Sequence, residues 1–418
     1  MLKFEFKPFD VLFFGSGKPF NRGDDANSIF PPFPHTFAGA ISNRLATFCK
    51  IDSSRAIKSI YGPFIKKHVP IKKDVLIPGE EILFFPSPSN IYTARKEDNP
   101  NFFCALRPLE NEQLKLFSPQ NTNKPGAIST FCVYTKDETE IEPFTRLISI
   151  KYLKYWLDGS IENILSENNN KIETKKNIIK LDEICQNDER IGIKINYEQG
   201  TVEKESNVYR VSFKKLKIEP AEEFSLVVWV EFNLEDENLK NANLGYEEIK
   251  AIFEKEPHVL KVGGESKSVF YKLNESSFFE EIKELLEIEN TFVGFLKCED
   301  NSLSIFTNKD EKTEMKIEKG DKIQILFLTQ GVFNDFLPNL LKLCGFKTKS
   351  MVMNGCLNVT LYSSKSKRLF AKAIPAGTVV WAEAEKDIEI LPENSHTLFQ
   401  NDLIGSNLVL IRKEKNVK

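Results

Sequence analysis

The chain has 418 residues, 41% of them hydrophobic, so it is long enough to form sizeable cores and, by length alone, two or three domains. Its formal net charge of −3 excludes a uniformly basic nucleic-acid-binding protein, and any RNA-binding surface must therefore be local. The seven cysteines are scattered without a C-x-x-C pair, which indicates reduced thiols and no zinc knuckle. The N-terminus does not resemble a signal peptide and the longest apolar runs are strand-sized, so we expect a cytoplasmic protein without membrane contact.

The first 45 residues predict two strands, a long loop and a helix. Residues 2–6 alternate apolar and polar side chains, and the apolar run at residues 11–14 stops at Gly15. Thr36 is placed as the N-cap of a helix whose apolar residues recur at helical spacing. The loop of some twenty residues between strand and helix is rich in proline, and ordered loops of that length tend to be functional.

Phenylalanine is unusually common, with 34 residues. Aromatic rings can stack on the bases of single-stranded nucleic acid, but Phe4, Phe6, Phe13 and Phe14 lie in strand-like runs. We therefore predict that these four rings fill the core.

The remainder of the first half predicts a strand, an insertion and a helix. The run at residues 82–90 is typical of a strand that ends at prolines. Residues 94–143 show little periodicity and predict an insertion of loops, and residues 148–157 predict an amphipathic helix that ends before Gly159. The polar stretch that follows suggests a domain boundary within residues 160–205, which we place between residues 185 and 186.

Four motifs stand out in the second half. E-R-I-G-I at residues 189–193 precedes an alternating strand at residues 208–213, and FSLVVWVEF at residues 224–232 predicts another strand. The glycines of V-G-G-E-S-K at residues 262–267 fit a tight turn or the close approach of a partner. Residues 336–382 carry seven cations and no acid, and this stretch runs into A-I-P-A-G-T-V-V-W.

The sequence contains little that predicts catalysis. Gly15-Ser16-Gly17-Lys18 fails as a phosphate-binding loop, since Leu12 stands where the motif needs glycine and Pro19 where it needs a hydroxyl. The four histidines form no metalloprotease motif, and no carboxylates are spaced as metal ligands. We therefore expect no catalytic residue, no metal and no cofactor.

The N-terminal block, with its fixed letters D-x-L-F-F, G-K-P-F and F-P-P-x-P-x-T-x-A-G-A, resembles the third subunit of the Cmr (type III-B) CRISPR effector complex, a RAMP-superfamily protein of the Cas-five group. The matching residues are Asp10, Phe13, Phe14, Gly17, Lys18, Pro19, Phe20, Phe30, Pro31, Pro32, Pro34, Thr36, Gly39 and Ala40. The segments at residues 189–193, 262–267 and 373–381 are similar to later landmarks of that family, in the same order.

The resemblance implies an α+β fold with two ferredoxin-like (RRM-like, RAMP) modules, here residues 1–185 with the insertion at about 94–143, and residues 186–418. It implies a non-catalytic RNA-binding subunit that holds the 5′ tag of the CRISPR RNA. It also implies two protein partners, the large polymerase-palm subunit and the backbone RAMP subunit of the Cmr complex. The candidate RNA-binding residues are Lys18, Arg22, His35, Arg44, Lys267, Lys347, Lys349, Lys365, Lys367 and Arg368.

Three alternatives remain open at this point. The first is the equivalent subunit of a type III-A (Csm) complex, which would have the same role in a sister assembly. A metal-independent CRISPR RNA-processing nuclease would use His35, although a lone histidine lacks an acid–base partner. A protein-only scaffold without RNA contact is disfavoured by the basic stretch at residues 336–382.

Overall fold

The computed structural model is a mixed α/β protein, built mostly from strands in several largely antiparallel sheets, with few helices. No helix in the described part of the chain is both long and apolar enough to cross a membrane. The structure describes residues 1–15, 25–69, 80–96, 99–108, 132–133, 140–161, 176–193, 195–196, 201–202, 208–219, 222–299, 302–306, 315–333, 335–362, 368–390 and 404–414.

The strands and helices are numbered in chain order. The strands are β1 (Leu2–Pro8), β2 (Val11–Leu12), β3 (Asp25–Asn27), β4 (Ile57–Val69), β5 (Glu80–Pro86), β6 (Ile91–Lys96), β7 (Asn99–Ala105), β8 (Arg107–Pro108), β9 (Cys132–Val133), β10 (Glu140–Pro143), β11 (Leu147–Ser149), β12 (Ile178–Ile179), β13 (Cys185–Ile193), β14 (Ile195–Asn196), β15 (Thr201–Val202), β16 (Val208–Leu216), β17 (Ile218–Glu219), β18 (Glu222–Phe232), β19 (Val259–Lys261), β20 (Ser268–Glu275), β21 (Thr291–Glu299), β22 (Ser302–Phe306), β23 (Met315–Ile317), β24 (Lys322–Phe327), β25 (Phe346–Val352), β26 (Leu357–Tyr362), β27 (Arg368–Ala373), β28 (Val379–Ala384), β29 (Ile388–Ile390) and β30 (Leu408–Lys413). The helices are α1 (Pro34–Cys49), α2 (Ile150–Leu157), α3 (Leu181–Ile184), α4 (Glu237–Asn241), α5 (Tyr246–Glu254), α6 (Phe278–Glu281), α7 (Lys283–Leu286) and α8 (Leu337–Leu343).

The larger sheet has nine strands in the order β12-β11-β5-β4-β18-β1-β20-β19, with β17 paired to β18. Neighbouring strands run antiparallel. Helix α1 connects β1 to β4, and β18 lies between those two strands. The predicted boundary between residues 185 and 186 falls inside this sheet, because β18 and β20 follow it and pair with β1 and β4, which precede it.

The smaller sheet has six strands in the order β22-β21-β30-β24-β28-β25. Helix α8 connects β24 to β25, and β28 lies between those strands. Sheet membership therefore changes between Glu275, the end of β20, and Thr291, the start of β21.

The two faces of the nine-stranded sheet bury different cores. One face packs under α1 and α5, where Phe4 and Phe6 meet Ile41 and Phe253. The other face packs against the six-stranded sheet through a second core that includes Trp229 and Trp381. Phe4, Phe6 and Phe14 are buried, which confirms the core prediction for three of the four rings, and Phe13 is partly exposed.

Two local predictions were wrong. Helix α1 begins at Pro34 and not after Thr36, and its N-cap Phe33 offers no side-chain cap. Proline suits this first position because its φ is preset and the amide it lacks would be unpaired there. The interval 94–143 is not purely loop, since its described part includes β7 and β8 together with parts of β6 and β10.

The last sequence landmark packs against the segment that follows β5. Gly377 has a φ of +90°, and a Cβ there would lie 2.5 Å from the carbonyl oxygen of Ser87. The Ser89 amide donates a hydrogen bond of 2.7 Å to the Gly377 carbonyl. Only glycine permits this approach, so the turn joins the smaller sheet to residues 87–90.

Asn90 connects three segments in the same region. Its side-chain oxygen accepts a hydrogen bond from the Trp156 indole (2.9 Å), and its amide nitrogen donates to the Leu106 carbonyl (3.0 Å). Because the indole can only donate, the orientation of the Asn90 amide is fixed by its chemistry. All of these groups are buried, and their hydrogen bonds cannot be replaced easily by water.

We expect Asn90→Ala to lower the free energy of unfolding by about 1–3 kcal/mol for each of the two buried groups that it leaves unpaired. Trp156→Phe removes the indole donor together with part of the ring. Because both variants break the same hydrogen bond, the double variant should be less destabilised than the sum of the two single variants. Chemical denaturation of the four proteins measures this coupling. If the losses in free energy of unfolding of the two single variants add up to that of the double variant, the hydrogen bond contributes nothing to stability.

Candidate nucleic-acid interface

Three segments that are far apart in sequence meet beside the N-terminal strand. The Gly264 amide donates a hydrogen bond of 2.8 Å to the Phe13 carbonyl. Gly263 has a φ of +79°, and a Cβ there would lie 2.4 Å from that same carbonyl oxygen. The two glycines therefore permit a close backbone approach to Phe13 within the turn that joins β19 to β20, which is the tight turn that the sequence left open.

The E-R-I-G-I segment reaches the same place on β13. This strand pairs with β16, and β16 pairs in turn with β2 and β3. A guanidinium nitrogen of Arg190 lies 3.0 Å from an Asp10 carboxylate oxygen and 3.1 Å from one of Asp188. The hydrogen bond from Arg190 lowers the pKa of Asp188, so the Asp188 carboxylate is ionised at neutral pH and pairs with the charged guanidinium of Arg190.

The ring of Phe213 lies at the centre of this arrangement. The Arg190 guanidinium is 5.1 Å from the ring centroid and the Lys267 ammonium is 4.7 Å from it, within the range of cation–π attraction. Phe13 contacts the same ring edge-to-face at 5.7 Å. We refer to Asp10, Phe13, Arg190, Phe213 and Lys267 as the Phe213 cluster.

The two cations of the Phe213 cluster differ in how their charge is compensated. Arg190 is matched by two carboxylates and keeps 44% of its side chain exposed. Among the residues that the structure describes, no carboxylate lies within ion-pair distance of Lys267. Lys215 adds a third cation 3.8 Å from Asp10. Lys267 thus has the least compensated charge of the three.

The candidate cations of the C-terminal half lie elsewhere in the chain. Lys347 is exposed on β25, directly opposite Glu383 of β28, and Lys349 forms an ion pair with Glu383. The acid-free stretch of sequence therefore receives its acid from the residue just after it, across the sheet. Lys365 and Lys367 lie outside the described residues, as do Lys18, Arg22 and the side chain of Arg368.

Arg44 points into the protein. Its guanidinium donates hydrogen bonds to four backbone carbonyls at 2.7–3.4 Å, and it lies 5.8 and 5.5 Å from two ring centroids, those of Phe253 and Tyr271. The four carbonyls belong to Ile252, Lys255, Pro257 and Val259. These contacts attach α1 to the end of α5 and to β19.

His35 lies in the first turn of α1, stacked on the ring of Phe33 at 5.4 Å. Burial lowers the pKa of His35 to about 4, so the ring is neutral at neutral pH. Its Nδ1 is buried without a hydrogen-bond partner among the described residues. A neutral imidazole offers no positive charge to a phosphate.

Glu5, His68 and Glu81 are close enough to hold a metal ion, since one ligand atom of each lies within 4.8 Å of the others. The ammonium of Lys66 occupies the space between the two carboxylates, 3.2 Å from Glu5 and hydrogen-bonded to Glu81. The His68 ring bridges the same two carboxylates, at 2.6 and 3.2 Å. A divalent cation would have to displace the buried Lys66, so these residues favour an ion network over a metal site.

Sequence reasoning missed Arg190, Asp10 and Phe213 as parts of a site. Asp10 belongs to the N-terminal block and Arg190 to the E-R-I-G-I segment, but Phe213 looks like any apolar residue of an alternating strand. Only the pairing of β13 with β16, and of β16 with β2, brings the three together.

We expect Arg44→Met to lower the free energy of unfolding by about 1–3 kcal/mol, because it leaves the partly buried carbonyls of Ile252 and Val259 unpaired while its stem still packs. RNA affinity per folded molecule should be unchanged. A melting curve like that of the wild type, with weaker RNA binding, would instead assign Arg44 to the RNA surface.

Because of the ion network around Glu5, the free energy of unfolding should depend on pH in the acidic range. Burial acts to raise the pKa of Glu5, but His68 and Lys66 outweigh it and hold this pKa at about 2, below the ordinary 4.5. The ionised carboxylate therefore stabilises the fold fully above pH 4.5, and this contribution is lost as the pH falls towards 2. The stability difference between the wild type and Glu5→Gln should shrink over that interval in urea titrations, and a constant difference would contradict the assignment.

Comparisons with known proteins place the chain in a family. The family model for "CRISPR-associated protein (Cas_Cmr3)" matches residues 4–414. None of the curated proteins matches the chain. Two solved structures contain similar chains, each 16% identical in sequence, and each match covers 91% of this chain and 86% of the similar chain. The first is the cryo-EM structure of the type III-B Cmr-beta bound to cognate target RNA and AMPPnP in state 1, with a TM-score of 0.44. The second is the cryo-EM structure of the type III-B Cmr-beta bound to cognate target RNA, with a TM-score of 0.42. Since the family model spans nearly the whole sequence, the chain belongs to the Cas_Cmr3 family of CRISPR-associated proteins, which confirms the resemblance to the third Cmr subunit.

Proposed function

We propose that the chain is a non-catalytic RNA-binding subunit of a type III-B CRISPR effector complex, which binds the 5′ tag of the CRISPR RNA and docks the large polymerase-palm subunit. The observation that carries RNA binding is the convergence of three separated sequence landmarks on the Phe213 cluster. The cluster offers cations for phosphates, one of the two requirements of single-strand binding, and the buried Phe213 ring positions those cations.

The cations of the Phe213 cluster suit a phosphate backbone. Exposed ion pairs such as that between Arg190 and Asp10 contribute little stability, so an incoming phosphate can exchange for Asp10 at small cost. Lys267 needs no such exchange. We therefore place a phosphate nearest Lys267.

A non-catalytic role is supported by the surroundings of the histidines. His35 is neutral and its Nδ1 has no hydrogen-bond partner among the described residues, while His68 is engaged by Glu5 and Glu81. His258 contacts the Glu254 carbonyl at 2.9 Å. No acid–base pair forms around His35 among the described residues, so the nuclease alternative lacks support.

We also propose two ferredoxin-like modules, divided between residues 275 and 291. In the first, β1, α1, β4, β18, α4 with α5, and β20 follow the order β-α-β-β-α-β, and their strands lie as β20-β1-β18-β4. In the second, β24, α8, β25, β28 and β30 repeat this order, with strands lying as β30-β24-β28-β25 and no helix described between β28 and β30. Residues 70–221 are then an insertion between the second and third strands of the first module.

The remaining parts of the proposal come from family membership. A cytoplasmic location and contacts with the large subunit and the backbone RAMP subunit would follow from assembly into the complex. Copurification of the full chain with the other Cmr subunits and with CRISPR RNA tests this, and recovery with protein but without RNA would favour a protein-only scaffold.

We expect the double variant Lys215→Met and Lys267→Met to weaken binding of the full chain to tag RNA. Each lost single-strand phosphate contact should flatten the plot of log affinity against log salt by about 0.7, so the double variant should lose up to about 1.4 in slope. Methionine keeps the apolar stem over Phe213 without the charge. Salt-titrated binding measures the effect, which should be similar for tags of any base order.

The matched control for that experiment is Lys283→Met. Lys283 is a cation on α7 with 75% of its side chain exposed, and it belongs to no part of the Phe213 cluster. Its salt slope should equal that of the wild type. If the double variant of Lys215 and Lys267 also has the salt slope of the wild type, RNA does not bind at the Phe213 cluster.

A further inference from the structure

The strand β1 shows which side chains share the second face of the nine-stranded sheet. Lys3, Glu5 and Lys7 alternate with the buried Phe4 and Phe6, so they project from the opposite face. The Lys3 ammonium lies 5.0 Å from the Trp229 ring centroid. This second face is therefore the one that packs on the six-stranded sheet through Trp229.

One end of that face is not covered by the smaller sheet. Phe270 of β20 is paired directly with Lys7, and residues directly opposite each other project from the same face. Half of Phe270 is exposed (50%), as is Phe9 just after β1 (56%). Their ring centroids are 4.6 Å apart with a tilt of 34°. We refer to Phe9 and Phe270 as the aromatic pair.

The surroundings of the aromatic pair are charged. Lys7, Lys261 and Lys272 lie on the neighbouring strands, and Lys7 is paired with Glu223 at 2.9 Å. Lys261 and Lys272 are exposed. Phe9 also directly precedes Asp10, the carboxylate partner of Arg190, so the aromatic pair adjoins the Phe213 cluster along the chain.

Exposed apolar surface of this kind indicates a partner, and the cations decide its chemistry. A surface of two contacting rings beside lysines complements the flat apolar bases and the phosphates of an unpaired strand. If the phosphates of an RNA strand lie at the Phe213 cluster, the bases beside them would contact the rings of Phe9 and Phe270.

We infer that the aromatic pair is a stacking surface for unpaired bases of the RNA strand. The inference rests on the proposed function, since it extends the same strand from Lys267 onto the open end of the sheet. It assigns to Phe9 and Phe270 the base contacts that the buried Phe4 and Phe6 cannot make.

The test compares two probes on the full chain: a ten-nucleotide uridine RNA and an abasic ribose–phosphate strand of the same length. The wild type should bind the uridine strand about tenfold or more tightly than the abasic strand, as expected for stacking of one or more bases. The double variant Phe9→Leu and Phe270→Leu keeps the apolar surface without the rings, and should lose most of this difference while binding the abasic strand as the wild type does. Its melting temperature should be unchanged, because both rings are half-exposed.

The matched control is Phe48→Leu. Phe48 is another half-exposed phenylalanine (50%) with a lysine over its ring, that of Lys255 at 4.9 Å, but it lies on α1 at the opposite face of the sheet. It should bind both probes as the wild type does.

Four outcomes would overturn the inference. Equal binding of both probes by the wild type, or uridine binding that the double variant retains, removes stacking but leaves phosphate binding at Lys267 intact. RNA binding that is retained together with loss of copurification with other Cmr subunits would make the aromatic pair a protein interface. If the wild type binds neither probe, the proposed RNA-binding function fails as well.

Discussion

The fold depends on the burial of β18 on both of its faces. Leu226, Val228 and Val230 belong to the core under the helices, whereas Val227 and Trp229 belong to the core shared with the smaller sheet. A strand with one exposed face could not join two layers in this way. Burying five such side chains, each stabilising by about 1.5–3 kcal/mol relative to exposure, makes β18 the element that holds the helices and the second sheet together.

The central position of β18 also determines where the Phe213 cluster forms. The chain between β4 and β18 adds β5, β11, β12 and β17 to the nine-stranded sheet, whereas β13 and β16 from the same part of the chain form a separate sheet with β2 and β3. The hairpin of β13 and β16 is attached to β2 by pairing of Val11 and Leu12 with Lys215 and Lys214. Segments some two hundred residues apart thus become neighbours through backbone pairing, and only then do Arg190 and Lys267 share one ring.

Local pattern predicted much of this structure. The alternation at residues 2–6, the apolar run at residues 224–232 and the helix after the proline loop are all present, because burial on one or two faces leaves a periodic signal. The start of α1 was missed by three residues, since a proline at the first position can replace a side-chain cap.

Long-range pairing was not predictable from the sequence. Nothing local to Phe213 or Phe270 predicts that the first is buried beneath two cations and the second is half-exposed, because both outcomes depend on which neighbours the sheet provides. The same holds for the acid-free stretch at residues 336–382. Glu383 lies one residue beyond it, yet pairing of β25 with β28 places Glu383 against Lys349.

A chain with a net charge of −3 can still offer a local surface for RNA, because its buried charges are compensated internally. Glu5 and Lys66 neutralise each other within the sheet, with His68 between Glu5 and Glu81. At physiological ionic strength, charges separated by more than about 8 Å are largely screened, so distant acids barely reduce the potential near Lys267. What an approaching phosphate experiences is therefore set by its immediate neighbours. At the Phe213 cluster these are Arg190 and Lys215, which share Asp10, and Lys267, which has no carboxylate within ion-pair distance among the described residues.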